Sequence, residues 1–79
     1  MISEYRALEA LRRGETIDIE GIKLKMADGD LCVGDLYVAE RNTGPKLLTV
    51  KSFGRDCVFP TCSAYAFDIW ECVKVCEAD

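Results

Sequence analysis

Thr16-Ile17-Asp18-Ile19-Glu20-Gly21-Ile22-Lys23-Leu24-Lys25-Met26 is the stretch that decides the fold. Apolar and polar residues alternate across it, the period-two pattern of strands with one buried face. Ile17 and Ile19 share one side, with Asp18 on the other. Ile22, Leu24 and Met26 share a side, with Lys23 and Lys25 facing outward. The two parities do not run continuously through Glu20-Gly21. A one-residue slip reverses which side of a strand is apolar, so a tight turn or a glycine bulge must fall there. Two short strands joined at Glu20-Gly21 are predicted.

Upstream of this stretch the period is helical. Ser3 is a favourable N-cap, and Tyr5, Leu8 and Leu11 recur at helical spacing. Glu9 precedes Arg13 by four residues in the stabilising order. Arg12 and Arg13 suit the negative end of a helix, and Gly14 is a natural left-handed stop. Downstream the chain is punctuated by turns. Asp28-Gly29 is a hairpin signal, Gly34-Asp35 a second kink, Asn42-Thr43-Gly44-Pro45 the clearest loop and Gly54-Arg55-Asp56 another turn. Between them, residues 31–33, 36–41, 47–53 and 57–59 read as short strand segments, the last stopped by Pro60. Residues 67–75, which include the single tryptophan Trp70, read as the final strand. The expected fold class is α+β: an N-terminal helix packed on a curved antiparallel sheet of five or six short strands, with a small SH3-like barrel as its closed form. Residues 1–79 form one domain, and the tight spacing predicts no long crossover connections.

The 79 residues include five cysteines and no histidine. Histidine is the usual general base near neutral pH and the commonest metal ligand. Its absence excludes histidine-based triads and most catalytic zinc sites. A domain of this length buries only about 60–65% of its unfolded surface and has little to spare for an enclosed cavity. The reading is non-enzymatic, with no cofactor. Fourteen acidic residues against ten basic ones leave a net charge of −4. That disfavours direct binding of duplex nucleic acid and favours a protein partner with a basic surface. No apolar run approaches the roughly 18 residues of a membrane-spanning helix. Met1-Ile2-Ser3-Glu4-Tyr5 lacks the basic-then-apolar order of a signal peptide. A cytoplasmic location is expected, with reduced thiols, and the odd cysteine count argues against a closed disulfide framework.

Cys57, Cys62, Cys72 and Cys76 could in principle hold zinc, but no C-x2-C knuckle occurs. Cys72 and Cys76 belong to one predicted strand, where four residues span about 13 Å. The favoured reading makes Cys32, Cys57, Cys62 and Cys72 small apolar core fillers, with Cys76 exposed near the end, and no metal site is assigned. Asp28, Asp30 and Asp35 lack the later ligands of a calcium loop, because Cys32 and Val33 intervene. Thr43-Gly44-Pro45-Lys46 opens a strand rather than a helix and reads as a turn, not a P-loop. The aromatics Tyr5, Tyr37, Phe53, Phe59, Tyr65, Phe67 and Trp70 are expected in the core. The second reading is an exposed tyrosine or tryptophan anchoring an interface.

The candidate partner contacts are therefore the outward acids Asp18, Glu20, Asp28, Asp30 and Asp35, together with Arg41, Asn42 and Lys46 on an ordered loop. In size, acidity, absence of catalytic motifs and compact α+β layout the chain resembles small phage- or prophage-encoded anti-defence proteins of the anti-CRISPR type. That resemblance implies an inhibitor or adaptor that binds a host protein or nucleoprotein complex in the host cytoplasm. Two alternatives stand beside it. A homodimer or larger oligomer could build a pocket for a small anionic ligand from Arg41, Asn42 and Lys46. Cys57, Cys62, Cys72 and Cys76 could define a zinc-stabilised structural domain.

Overall fold

The computed structural model describes residues 6–41, 44–62 and 65–78, with Arg41 described by its backbone alone. The expected Ser3 cap, Tyr5 of the helical stripe, and Asn42 and Thr43 of the loop lie outside the described residues. The order of elements is α1 (Arg6–Arg12), β1 (Ile17–Ile19), β2 (Ile22–Met26), β3 (Leu36–Arg41), β4 (Gly44–Phe53), β5 (Cys57–Pro60), β6 (Phe67–Asp68), a single 3-10 turn η1 (Ile69–Glu71) and β7 (Cys72–Glu77). Leu8 and Leu11 form the buried face of α1, and Gly14 leaves the helix with φ of +88°, as its position after the arginines requires.

The parity break at Glu20-Gly21 is a two-residue hairpin loop. Ile19 pairs with Ile22, and φ is positive at both loop residues, +53° and +81°. This is the type I′ geometry that matches the twist of the flanking strands.

All strand pairs are antiparallel. The sheet order is β1-β2-β7-β3-β4-β5-β6, which corrects the expected architecture in three respects. The strands number seven, not five or six. Asp28-Gly29 turns the chain, with Gly29 at φ of +92°, but it closes no hairpin. β2 and β3 are separated by β7, which pairs with both. The β2–β3 connection must therefore cross the start of β7, and the segment 31–33 inside it is not a strand. The third correction concerns residues 67–75. η1 breaks this run and releases the chain from the β6 edge, so that β7 enters the centre of the sheet. A turn signal in sequence is local, whereas a strand's partner is chosen by the apolar face it must cover, here by a segment some fifty residues away.

The sheet curls into a half-barrel until β1 lies alongside β4. Closure stops there: β1 and β6 remain the edge strands among the described residues. Directly paired residues share a face, so the register separates two apolar sets. One contains Leu24, Val38, Val73 and Val75 with Ile19, closed by Leu8 and Leu11 of α1. The other contains Tyr37, Ala39, Val50 and Val58, with Leu31, Leu48, Phe67 and Cys72 packed against it. It exists because a register shift between Val50 and Ser52 bends the long β4. A bulge of this kind increases local twist and carries β5 and β6 across the outer face. β3 is consequently covered on both sides. Tyr37, Val38, Ala39 and Glu40 are buried consecutively, and the strand reads as a continuous apolar run rather than an alternating one. Pro60 is tolerated in β5 because β6 reaches only Cys57 and Val58, leaving that end of β5 unpaired on its outer side.

Among the described residues no helix is long and apolar enough to cross a membrane.

Candidate functional site

The expected contact residues do not converge. Asp18 is exposed in the middle of β1 and stands directly opposite Lys23. Glu20 sits at the tip of the β1–β2 hairpin. Asp28 and Asp30 are exposed beyond the other end of β2, whose five residues separate the two groups by roughly 16 Å of strand. Asp35 is not a free surface acid. Its Oδ2 accepts the Cys32 amide at 2.8 Å and lies 3.5 Å from the Lys74 Nζ. Lys46 is exposed on β4 opposite Ala39. The Arg41 side chain and Asn42 lie outside the described residues.

What the fold gathers beside Asp30 is apolar, namely Met26, Leu31, Ile69 and Val73. Trp70 is 61% exposed, Ile69 41% and Met26 42%, so Trp70 does not enter the core as its sequence neighbourhood suggested. Tyr65 and Phe53 are likewise exposed. Ile69 and Trp70 are displayed by a turn that is tied on three sides. The buried Glu71 turns its Oε1 back to the Asp68 amide at 3.1 Å. The Cys72 amide donates to the Ile69 carbonyl. Arg12, at the end of α1, donates from Nη2 to the Trp70 carbonyl at 2.9 Å. With the backbone of η1 tied to these partners, the side chains of Ile69 and Trp70 remain exposed to water.

Beside this turn lies an open groove of about 420 Å³, in which Met26, Gly29, Asp30 and Leu31 face Ile69 and Val73. It forms where β2 ends at Met26 while β7 continues past it to Cys72. The Ala27 amide still reaches the Lys74 carbonyl at 2.9 Å, after which the chain departs. The Lys74 ammonium anchors the departing segment, donating to the Asp30 carbonyl at 3.4 Å and pairing with Asp35.

The five cysteines are free thiols. Cys72 packs against the second apolar cluster and donates to the Asp68 carbonyl at 3.4 Å. Cys32 and Cys62 are exposed, so the core-filler reading is corrected for both. Each lies in a turn rather than a strand, where alternation cannot direct a side chain inward. Cys76, expected to be exposed, is half-buried opposite Lys25. Among the described residues no group of three or more cysteines or carboxylates is placed to hold a metal ion.

Two features escaped the sequence reading. One is Glu40, 4% exposed, whose role depends on a contact over more than thirty residues. The other is η1. Its signal was available: Asp68 and Glu71 stand three apart, the spacing of a capping box, and they bracket the two residues that are displayed. No family model, no curated protein and no solved structure matches the chain.

Proposed function

We propose that this chain is a small, acidic, non-enzymatic binding protein, an inhibitor or adaptor that docks on another protein or on a nucleoprotein complex through the surface around Trp70. The observation that carries the reading is the display of Trp70 and Ile69 on a turn clamped by Glu71, Arg12 and the Cys72 amide. A large aromatic on an anchored stretch of backbone loses less entropy on binding than one on a free loop, and tryptophan is among the residue types enriched at interface hot spots. The net charge of −4 adds long-range attraction to a partner with a basic surface. The resemblance to anti-CRISPR-type proteins rests on size, acidity and layout, and it makes bacterial nucleoprotein machinery the first place to look.

The test is affinity capture by the tagged chain from nuclease-treated bacterial lysate, compared with Trp70→Ser. A partner held stoichiometrically by the parent chain and lost with Trp70→Ser, the variant remaining folded by circular dichroism, is the expected result. Identical captures by the two, or none by either, overturn the reading.

A further inference from the structure

We propose that the groove beside Trp70 receives an extended segment of the partner in which a lysine or arginine stands next to an apolar side chain. The inference rests on the binding reading above and specifies the chemistry of what binds. The two walls of the groove differ in kind. On the β7 side Ile69 and Val73 are apolar, with Trp70 flanking Ile69. The opposite wall is the start of the β2–β3 connection, where Asp30 lines the groove beside Gly29 and Leu31, and the equally exposed Asp28 stands just before them in the chain. The floor contributes no net charge, because the Lys74 Nζ lies 3.5 Å from the Asp35 Oδ2 and also donates to the Asp30 carbonyl. Arg12, the cation on the far flank of Trp70, already donates to the Trp70 carbonyl.

A largely apolar groove with one exposed carboxylate, Asp30, in its lining selects its occupant. An apolar side chain covers Ile69 and Met26. The neighbouring lysine or arginine lays its aliphatic stem along the groove and brings its charge to Asp30 and the adjacent Asp28. An acidic segment is repelled by the same carboxylates, and a purely apolar one desolvates them without replacement. The groove volume matches the lower range of small binding clefts, roughly 300–1,000 Å³, enough for a few side chains and not for a folded element.

Trp70 is the only tryptophan, so its emission reports occupancy directly. The probes are blocked hexapeptides: alternating arginine and leucine, alternating glutamate and leucine, and alternating arginine and serine. The arginine–leucine peptide should shift the emission saturably. Binding should weaken at least about tenfold in the double variant Asp28→Asn/Asp30→Asn and to a similar extent for the arginine–serine peptide, with no shift from the glutamate–leucine peptide. Absence of a saturable shift with arginine–leucine, equal affinity in the double variant, or an equal response to either control peptide overturns the proposal. The two levels separate cleanly. Lysate capture that needs Trp70 but survives Asp28→Asn/Asp30→Asn removes this inference alone, whereas capture indifferent to Trp70 removes the reading beneath it.

Discussion

Glu40 of β3 holds Ala7 at the first turn of α1: its Oε1 and Oε2 accept the Ala7 amide at 3.0 and 3.2 Å, and Oε1 also accepts the Leu8 amide at 3.2 Å. A helix of seven residues does not persist alone in water. Its first amides have no partners within the helix, and a carboxylate there meets both the amides and the positive end of the helix dipole. Glu40 thus joins the helix to the central strand and places Leu8 and Leu11 over the first core. Glu40→Ala should cost about 3 kcal/mol, because the part-buried Ala7 amide and the buried Leu8 amide lose their acceptor, and Glu40→Gln about 1–2 kcal/mol, because one oxygen remains. Urea unfolding checks both values. Variants as stable as the parent would show that the contact does not hold the helix.

Tyr37 presents the opposite situation. Its ring is fully buried in the second core, and its hydroxyl has no hydrogen-bond partner among the described residues. Burial raises the phenol well above its ordinary value of 10.0, with Cys72 and Cys62 adding to the shift. Tyr37→Phe should therefore stabilise the fold by about 1 kcal/mol, since it removes an unpaired polar atom. The pH dependence has a definite sign. Above about pH 10 the unfolded chain releases the tyrosine proton while the folded chain keeps it, so stability falls as pH rises through that region and continues to fall towards the folded value. Tyr37→Phe should lose this component of the alkaline slope. Parallel slopes for parent and variant from denaturant curves between pH 9 and 11, on the order of the ordinary tyrosine range, would contradict the assignment.

How much could be read from the chain depended on the range of the interactions. Leu8, Leu11 and Gly14 declare a helix within one stretch, and Glu20-Gly21 declares a turn from parity alone, so both were legible. The insertion of β7 between β2 and β3 was not. Asp28-Gly29 carries the same local signal whether the next strand pairs beside it or beyond another. Cys32 and Trp70 fail for a related reason. Hydrophobic type predicts burial only where a regular element directs the side chain, and both sit on turns. For the contact surface, Asp28 and Asp30 were legible as exposed acids, but their apolar neighbours come from η1, about forty residues later, and only the folded sheet brings them together.

Glu20 holds φ of +53°, a conformation that costs an ordinary L-residue about 1–2 kcal/mol. Asparagine tolerates it better, and Asn-Gly is the preferred pair for this hairpin loop. Glu20→Asn should stabilise the domain by about 0.5–1 kcal/mol, raising Tm by roughly 2–8 °C for a domain of this size. It also removes one of the outward acids at the end of β2 remote from the groove, so binding through the Trp70 surface should be unchanged. Scanning calorimetry and the peptide titration on the same sample check the two halves together. A lower Tm would mean that the Glu20 side chain makes a contact that outweighs its backbone strain.

Asp35, Asp28 and Asp30 look equivalent as hairpin-region acids, and the structure divides them. Asp35 caps the Cys32 amide and pairs with Lys74, both side chains being about a quarter exposed, so it ties the β2–β3 connection to β7. Asp30 meets Lys74 only through its backbone carbonyl, which any residue supplies, and its carboxylate is exposed, as is that of Asp28. Asp35→Ala should therefore cost about 1–2 kcal/mol by leaving an amide without its acceptor and a half-buried ammonium without its counter-charge. Charge reversal at Asp28 and Asp30 should stay within about 0.5 kcal/mol of the parent while abolishing the response to the arginine–leucine peptide. Chemical denaturation separates stability from binding in all three variants. Equal losses of stability at all three positions would mean that the connection is held by its total charge, and no loss at Asp35 would mean that it is held by backbone hydrogen bonds alone.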